Sequence, residues 1–398
     1  MNLDLIDDFD HLDPSLTEDL FGVYAQLRAR CPVAHGSRFG GFYVLSRYED
    51  VRRAALDHRS FASGQGITIP HMGNSVPGFA ESDEPRHRAY REAVLPFFTQ
   101  KAIGSYTSEI TAIVDDAIDA FIETGRADLV RDYAELIPPR AVAPLIGLDR
   151  EDIPLFARWT REMFDKGAAG DLDGQAQAAG ELFSHLEQIF AKRRTDPRDD
   201  IFTALLQAQP KDGTPLSTQE CLGNLFAIVI GGHDTTIHGI GQLLYHLALH
   251  PQHRARLAED DSLLDLMIEE TLRLEAPIQQ FARTTTTEVC IHGETIPAGS
   301  RVMLLFGSAN RDENQFTEPD TFLPDREPNA HLAFGHGVHR CLGVHFARLE
   351  LHIAAQRILD RLPDYELDGD VIRTGLQGGI TWGLASLPVR FSPGKTTR

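Results

Sequence analysis

The 398-residue chain is poor in cysteine, in cationic charge and in long apolar runs. Its four cysteines, Cys31, Cys221, Cys290 and Cys341, are scattered, and no two stand at CxxC spacing. That excludes a zinc ribbon and fits reduced thiols better than the disulfide framework of a small secreted domain. No apolar run is long enough to span a bilayer, and the acidic start MNLDLIDDFDHLD lacks the basic-then-apolar order of a secretory signal. The expectation is a cytoplasmic protein without a membrane partner. Lys and Arg number 38 against 58 Asp and Glu, giving a formal net charge of −20. Such a surface argues against nucleic-acid binding and leaves room only for a local basic patch.

What the chain does hold is helical periodicity. SLTEDLFGVYAQLRAR places Leu20, Val23, Tyr24 and Leu27 on one face behind a capping signal. GGFYVLS at 40–46 reads as a strand and RYEDVRRAALDH as the helix after it. Residues 100–275 read as helical, broken at Pro138-Pro139, at 167–174 and at 209–217. Short β-rich stretches return at 288–306 and in ITWGLASLPVRF, and residues 391–398 read as a loose tail. No repeat or linker divides the chain, so residues 1–398 are expected to form one mainly α domain with small β-sheets, large enough to enclose a cofactor.

Four segments ask for a chemical explanation. The first lies in a helix expected to run unbroken from Thr218 to about Pro251. Gly231 and Gly232 there should cost about 1 kcal/mol each relative to alanine. They make either a helix-packing notch or a gap against which something flat lies; Asp234 and Thr235 beside it suit proton relay. The second is EETLRLEAP, where Glu270 and Arg273 share a helix face and can pair, as surface helices often do. In the third, SDEPRHRAYREAV, His87 and Arg91 stand four apart after Pro85: a solvated basic face, or two donors aligned for a carboxylate.

The fourth is HLAFGHGVHRCLG, residues 331–343. Zinc accepts ligands of the types His336, His339 and Cys341, but a fourth is missing nearby and the glycines would go unexplained. Haem iron explains more. It takes a single thiolate, here on a glycine-rich turn whose backbone can approach the sulfur, opening into the helix LGVHFARLELHIAAQRIL whose amides would stabilise negative charge. Phe334 would shield the sulfur from water.

FGHGVHRCLG resembles the haem-binding loop of the cytochrome P450 monooxygenases, bacterial members in particular. GGHDTT is similar to the family's oxygen-activating segment, Glu270 and Arg273 to its ExxR pair, and PDTFLPDR to the stretch that supplies a third partner, Arg326. The resemblance runs from about residue 40 to 391. It implies the cytochrome P450 fold, with haem b buried between a long central helix and a Cys-bearing loop. Cys341 would be the iron ligand and Phe334 its cover, with His87, Arg91, Arg283 and His339 on the haem propionates. Asp234 and Thr235 would deliver protons to bound dioxygen, and His233 would point away.

The implied reaction is insertion of one oxygen atom of O2 into a hydrophobic small molecule. Ile67, Ile69, Val76, Phe79, Ile228, Gly231, Gln279, Phe281 and Trp382 would line the substrate pocket. Electrons would come from a separate ferredoxin and its reductase, docking near Arg88, Arg340 and Arg348 on the thiolate side of a protein expected to be monomeric. Two other readings stay open: a peroxygenase driven by H2O2, for which the Asp234–Thr235 pair would be superfluous, and a non-enzymatic haem or ligand carrier.

Overall fold

The computed structural model describes residues 4–71, 78–168, 170–211, 213–257 and 259–397. Val76 lies outside these described residues. Helices dominate. The longer ones that position the site are α1 (Leu16–Arg30), α2 (Tyr48–Leu56), α3 (Arg86–Val94), α4 (Thr107–Asp119), α5 (Ile153–Ala168), α6 (Leu172–Thr195), α7 (Thr218–Gly231), α8 (Asp234–Leu249), α9 (Leu263–Glu275) and α10 (Val344–Arg361). No helix among the described residues is long and apolar enough to cross a membrane.

The segment Thr218–Pro251, expected as one helix, is two. A capping box starts α7: the Ser217 hydroxyl accepts from the Glu220 amide at 3.2 Å, and the Glu220 carboxylate accepts from the Ser217 amide at 2.8 Å. The helical path then breaks at Gly232 and His233. His233 leaves it with φ −88° and ψ −88°, and its ring stacks on Phe164 of α5 at 4.3 Å and 7°. The freed Gly231 carbonyl accepts instead from the Thr235 hydroxyl, at 2.7 Å. A side chain inserted into the hydrogen-bond ladder is a recognised cause of such an interruption.

Below the break α8 is almost wholly buried, and glycine sets how closely its neighbours approach. A Cβ on Gly239 would sit 3.3 Å from Leu351 of α10, and one on Gly241 would sit 3.4 Å from Val130. The sheet beside this helical body contains β1 (Val33–Gly36), β2 (Phe42–Leu45), β3 (Phe61–Ala62), β4 (Gln280–Thr285) and β5 (Arg301–Leu305), in the order β1-β2-β5-β4-β3. The β2–β5 pair is parallel, with Tyr43 opposite Val302; its other pairs are antiparallel. A hairpin of β6 (Ile372–Gln377) and β7 (Thr381–Ser386) packs on α8.

One ionic network joins the helical body to the loops that lead into the Cys-bearing segment. Glu270 and Arg273, both on α9 and both fully buried, make a forked pair with two N–H···O contacts of 2.8 Å. The remaining guanidinium donors reach the carbonyls of Asn310, Pro319 and Thr321. Arg326 adds its Nε to Glu270 at 3.1 Å, and the Leu323 amide donates to the same carboxylate at 2.9 Å. The C-terminal stretch, expected to be loose, is instead tied down through residue 397. The Thr397 hydroxyl donates to Asp119 of α4 at 2.8 Å, and the Gly394 amide donates to Ile122.

Removing one partner of a buried pair strands the other charge. Arg273→Gln is therefore expected to lower stability by about 3–5 kcal/mol, read from the denaturant midpoint. Arg52→Gln, which breaks only the exposed pair with Glu49, should cost under about 1 kcal/mol.

Candidate active site

Between the α7–α8 break and the segment 333–347 lies a cavity of about 1500 Å³ including its mouth. Cys341 lines it. The turn before Cys341 requires glycine: Gly335 and Gly337 have φ of 66° and 71°, and a Cβ on Gly337 would lie 2.7 Å from the Ala55 carbonyl. The Cys341 amide closes the turn on the Phe334 carbonyl at 2.8 Å, and α10 starts directly after its cap residue, Gly343. Cys341 is solvent-accessible because it faces open cavity space, yet protein surrounds it closely enough that burial raises its thiol pKa. The Gly343 amide and the guanidiniums of Arg91, Arg340 and Arg348 oppose that rise. A helix N-terminus with nearby cations is a setting in which a thiolate persists.

Beside the cavity four basic side chains crowd together, with Glu84 3.9 Å from His87 and Asp83 within electrostatic reach of His87 and Arg283. The His87 and His339 rings are 4.2 Å apart; His339, Arg91 and Arg283 line the cavity, whereas His87 does not. Burial, then the Arg91 charge, pushes His87 down to about 4; burial, then Arg283, pushes His339 down to about 2. Burial lowers Arg283 to about 10. Both ring nitrogens of His87 are buried without a hydrogen-bond partner. Unpaired buried ring nitrogens beside two guanidiniums are what two missing carboxylates would satisfy. On the opposite wall, a Cβ on Gly231 would meet nothing within 4 Å and would project into open space. The cavity thus offers a cysteine sulfur on one side, a bare backbone on the other and donors for a dianion beside them, which fits an iron porphyrin.

Known proteins agree with that fit. A family model described as Cytochrome P450 matches residues 154–363. Cytochrome P450 107B1 of Saccharopolyspora erythraea is 34% identical over 95% of this chain and 96% of its own. A vitamin D(3) 25-hydroxylase of Pseudonocardia autotrophica is 34% identical over 93% of each chain. The crystal structure of CYP108D1 from Novosphingobium aromaticivorans superposes with a TM-score of 0.86 at 30% identity, covering 96% of each chain. The chain belongs to the cytochrome P450 family. It is a haem monooxygenase, and P450 iron takes a cysteine thiolate as its axial ligand.

Around the cavity of this P450, Thr235 contributes to the wall and Asp234 does not. Asp234 lies behind it with a side chain 32% exposed. Burial, with Glu135 and Asp165 nearby, raises its carboxyl to about 6. His233 points away into its stack with Phe164, as expected from sequence. Thr236, which sequence reasoning passed over, also lines the cavity.

Five residues expected in the substrate pocket line the cavity: Ile67, Phe79, Ile228, Gly231 and Phe281. Three do not. Ile69 packs in a core with Ala282, which faces away from the cavity that Phe281 and Arg283, its neighbours on β4, line. Gln279 turns to the Ala276 carbonyl at 2.7 Å. Trp382 belongs to the Ile69 core, its indole N–H donating to Glu275 at 3.2 Å. The proximal arginines also differ from one another. Arg340 is exposed, Arg88 is exposed but 3.3 Å from Glu84, and Arg348 is bound to Glu269 by two contacts of 2.6 Å.

Sequence reasoning also missed Glu350 of α10. It lines the cavity, is 1% exposed, and neither carboxylate oxygen has a hydrogen-bond partner. Burial raises its pKa well above the usual range, so it keeps its proton. Folding therefore raises this pKa, and its contribution is fully present below the unfolded value of about 4.3 and is lost as pH rises towards the folded one. Glu350→Gln, neutral throughout, should gain stability over the parent as pH climbs from about 4.5 to 7, measured by paired denaturant melts. A variant that instead loses ground as pH rises would mean an ionised, partnered carboxylate.

Proposed function

We propose that Cys341 is the thiolate ligand, that His87, Arg91, Arg283 and His339 hold the two propionates, and that Phe334 covers the sulfur side. The observation that carries this reading is the arrangement of one cavity thiol opposite a bare glycine backbone, with Arg91, Arg283 and His339 on the wall and His87 against His339 with both ring nitrogens unpaired. Bound there, haem supplies the reductive activation of dioxygen. The chain's residues do the rest.

The substrate side is walled by Ile67, Phe79, Ile228 and Phe281, so binding is driven by removal of apolar surface from water. The product class is a hydroxylated or otherwise oxygenated hydrophobic small molecule. A neutral alicyclic molecule of the vitamin D(3) type named for the Pseudonocardia relative suits that wall. Electrons come from a separate, acidic ferredoxin that approaches the sulfur side. Arg340 and Arg88 are its cationic contacts, standing out against a net charge of −20.

Protons reach the cavity through Asp234 and Thr235. Asp234 touches solvent and holds its proton up to about pH 6, where a donor is near balance with its surroundings. The adjacent Thr235 hydroxyl donates to the Gly231 carbonyl and retains lone pairs with which to accept a proton arriving from outside.

The test is product formed per electron pair consumed, followed against pH. Coupling should decline as pH rises through about 6, where Asp234 loses its proton. Asp234→Asn should remove that limb. Thr235→Ala should leave substrate affinity within about threefold while product per electron pair falls on the order of tenfold, within the usual range for proton-transfer groups. Coupling that is unchanged in both variants would refute the proton route.

A further inference from the structure

Glu269 and Glu270 are sequence neighbours that face different partners. Glu270 belongs to the network with Arg273 and Arg326, while Glu269 meets α10 and the segment before the Cys-bearing turn. Arg348 presents its fork to Glu269, with Nε to Oε1 and Nη2 to Oε2 both at 2.6 Å. His331 Nε2 joins the same carboxylate at 3.2 Å, and its Nδ1 accepts the Ala333 amide at 3.2 Å. An accepting Nδ1 leaves Nε2 as the donor to Glu269. The Glu269–Arg348 pair is charge-neutral as a whole.

Its position gives the neutrality a purpose. The Arg348 guanidinium lies over the Phe334 ring at 4.8 Å, and the His331 ring stands 6.1 Å from it. Phe334 lines the cavity, and its carbonyl holds the Cys341 amide. Arg348 is within electrostatic reach of the sulfur. Two of its five donors go to Glu269 and its planar face to Phe334, which ties its charge to that pair.

We propose that Glu269 and Arg348 are positioning residues for the sulfur ligand: the pair clamps Phe334 across the thiolate side and balances charge there, setting the reduction potential of bound haem instead of recruiting the electron donor. The inference rests on Cys341 being the iron ligand. It departs from the expectation that Arg348 belongs to the ferredoxin contact.

The experiment measures the midpoint potential of haem-loaded protein by mediated reductive titration, with no protein partner, for Glu269→Gln, Arg348→Gln, the double variant and Arg348→Lys. Glu269→Gln leaves a guanidinium uncompensated and should raise the potential. Arg348→Gln leaves a carboxylate uncompensated and should lower it. The double variant restores neutrality and should return most of the way, and Arg348→Lys, which keeps the charge, should stay near the parent. Shifts of the same sign, a double variant no nearer the parent, or a lysine variant as displaced as the glutamine one would overturn the proposal. So would an unchanged potential in Arg348→Gln accompanied by weaker binding of an acidic ferredoxin. The ferrous-carbonyl spectrum recorded on each sample separates the two failures: loss of the thiolate band in the parent itself refutes the ligand reading, whereas an intact band with unchanged potentials refutes this one.

Discussion

A cysteine sulfur that opens onto a cavity ionises only if its charge is compensated, and the turn from Phe334 to Gly343 does this largely with backbone. The Cys341 amide is committed to the Phe334 carbonyl, the Gly343 amide favours the ionised sulfur, and α10 begins at once, adding the positive end of its dipole. None of this survives a Cβ at Gly337, whose place beside the Ala55 carbonyl couples the turn to α2. The buried Glu270–Arg273–Arg326 network then fixes the loops that lead into the turn.

Opposite the sulfur, the same design problem is solved by removing side chains. The interruption between α7 and α8 opens the wall at Gly231, turns His233 out onto Phe164 and brings the Thr235 hydroxyl to the cavity edge. Asp234 follows from that geometry: it keeps contact with solvent beside Thr235, and burial, with Glu135 and Asp165 nearby, raises its pKa. The proposed proton path and the proposed seat of the haem thus come from one local departure from helical regularity.

Much of this was legible in the sequence because motif residues sit close together along the chain. The turn around Cys341, the Glu270–Arg273 pair and the Gly231–Thr235 run each lie within one turn or helix, so local spacing carried their meaning. What sequence did not reveal depends on tertiary contact. Whether the α7–α8 segment was one helix or two turned on a threonine hydroxyl and a phenylalanine on α5. Ile69, Gln279 and Trp382 were assigned to the pocket by their place in the chain, but a separate apolar core and hydrogen bonds to Ala276 and Glu275 hold them elsewhere. Arg348 looked like a surface cation until Glu269 was found against it, and the tail looked free until Thr397 met Asp119. Glu350 carried no sequence signal at all, since a glutamate on a charged helix reads as solvated and only the fold buries it.

The account stands on iron bonded to the sulfur of Cys341. The most direct measurement is the ferrous-carbonyl absorption spectrum of the haem-loaded protein and of Cys341→Ser. The wild-type protein should give the red-shifted band of a thiolate-ligated carbonyl complex, and the serine variant should lose it while still taking up haem through the unaltered propionate residues. A serine variant with the wild-type spectrum, or a wild-type protein that never shows the thiolate band, would contradict the account.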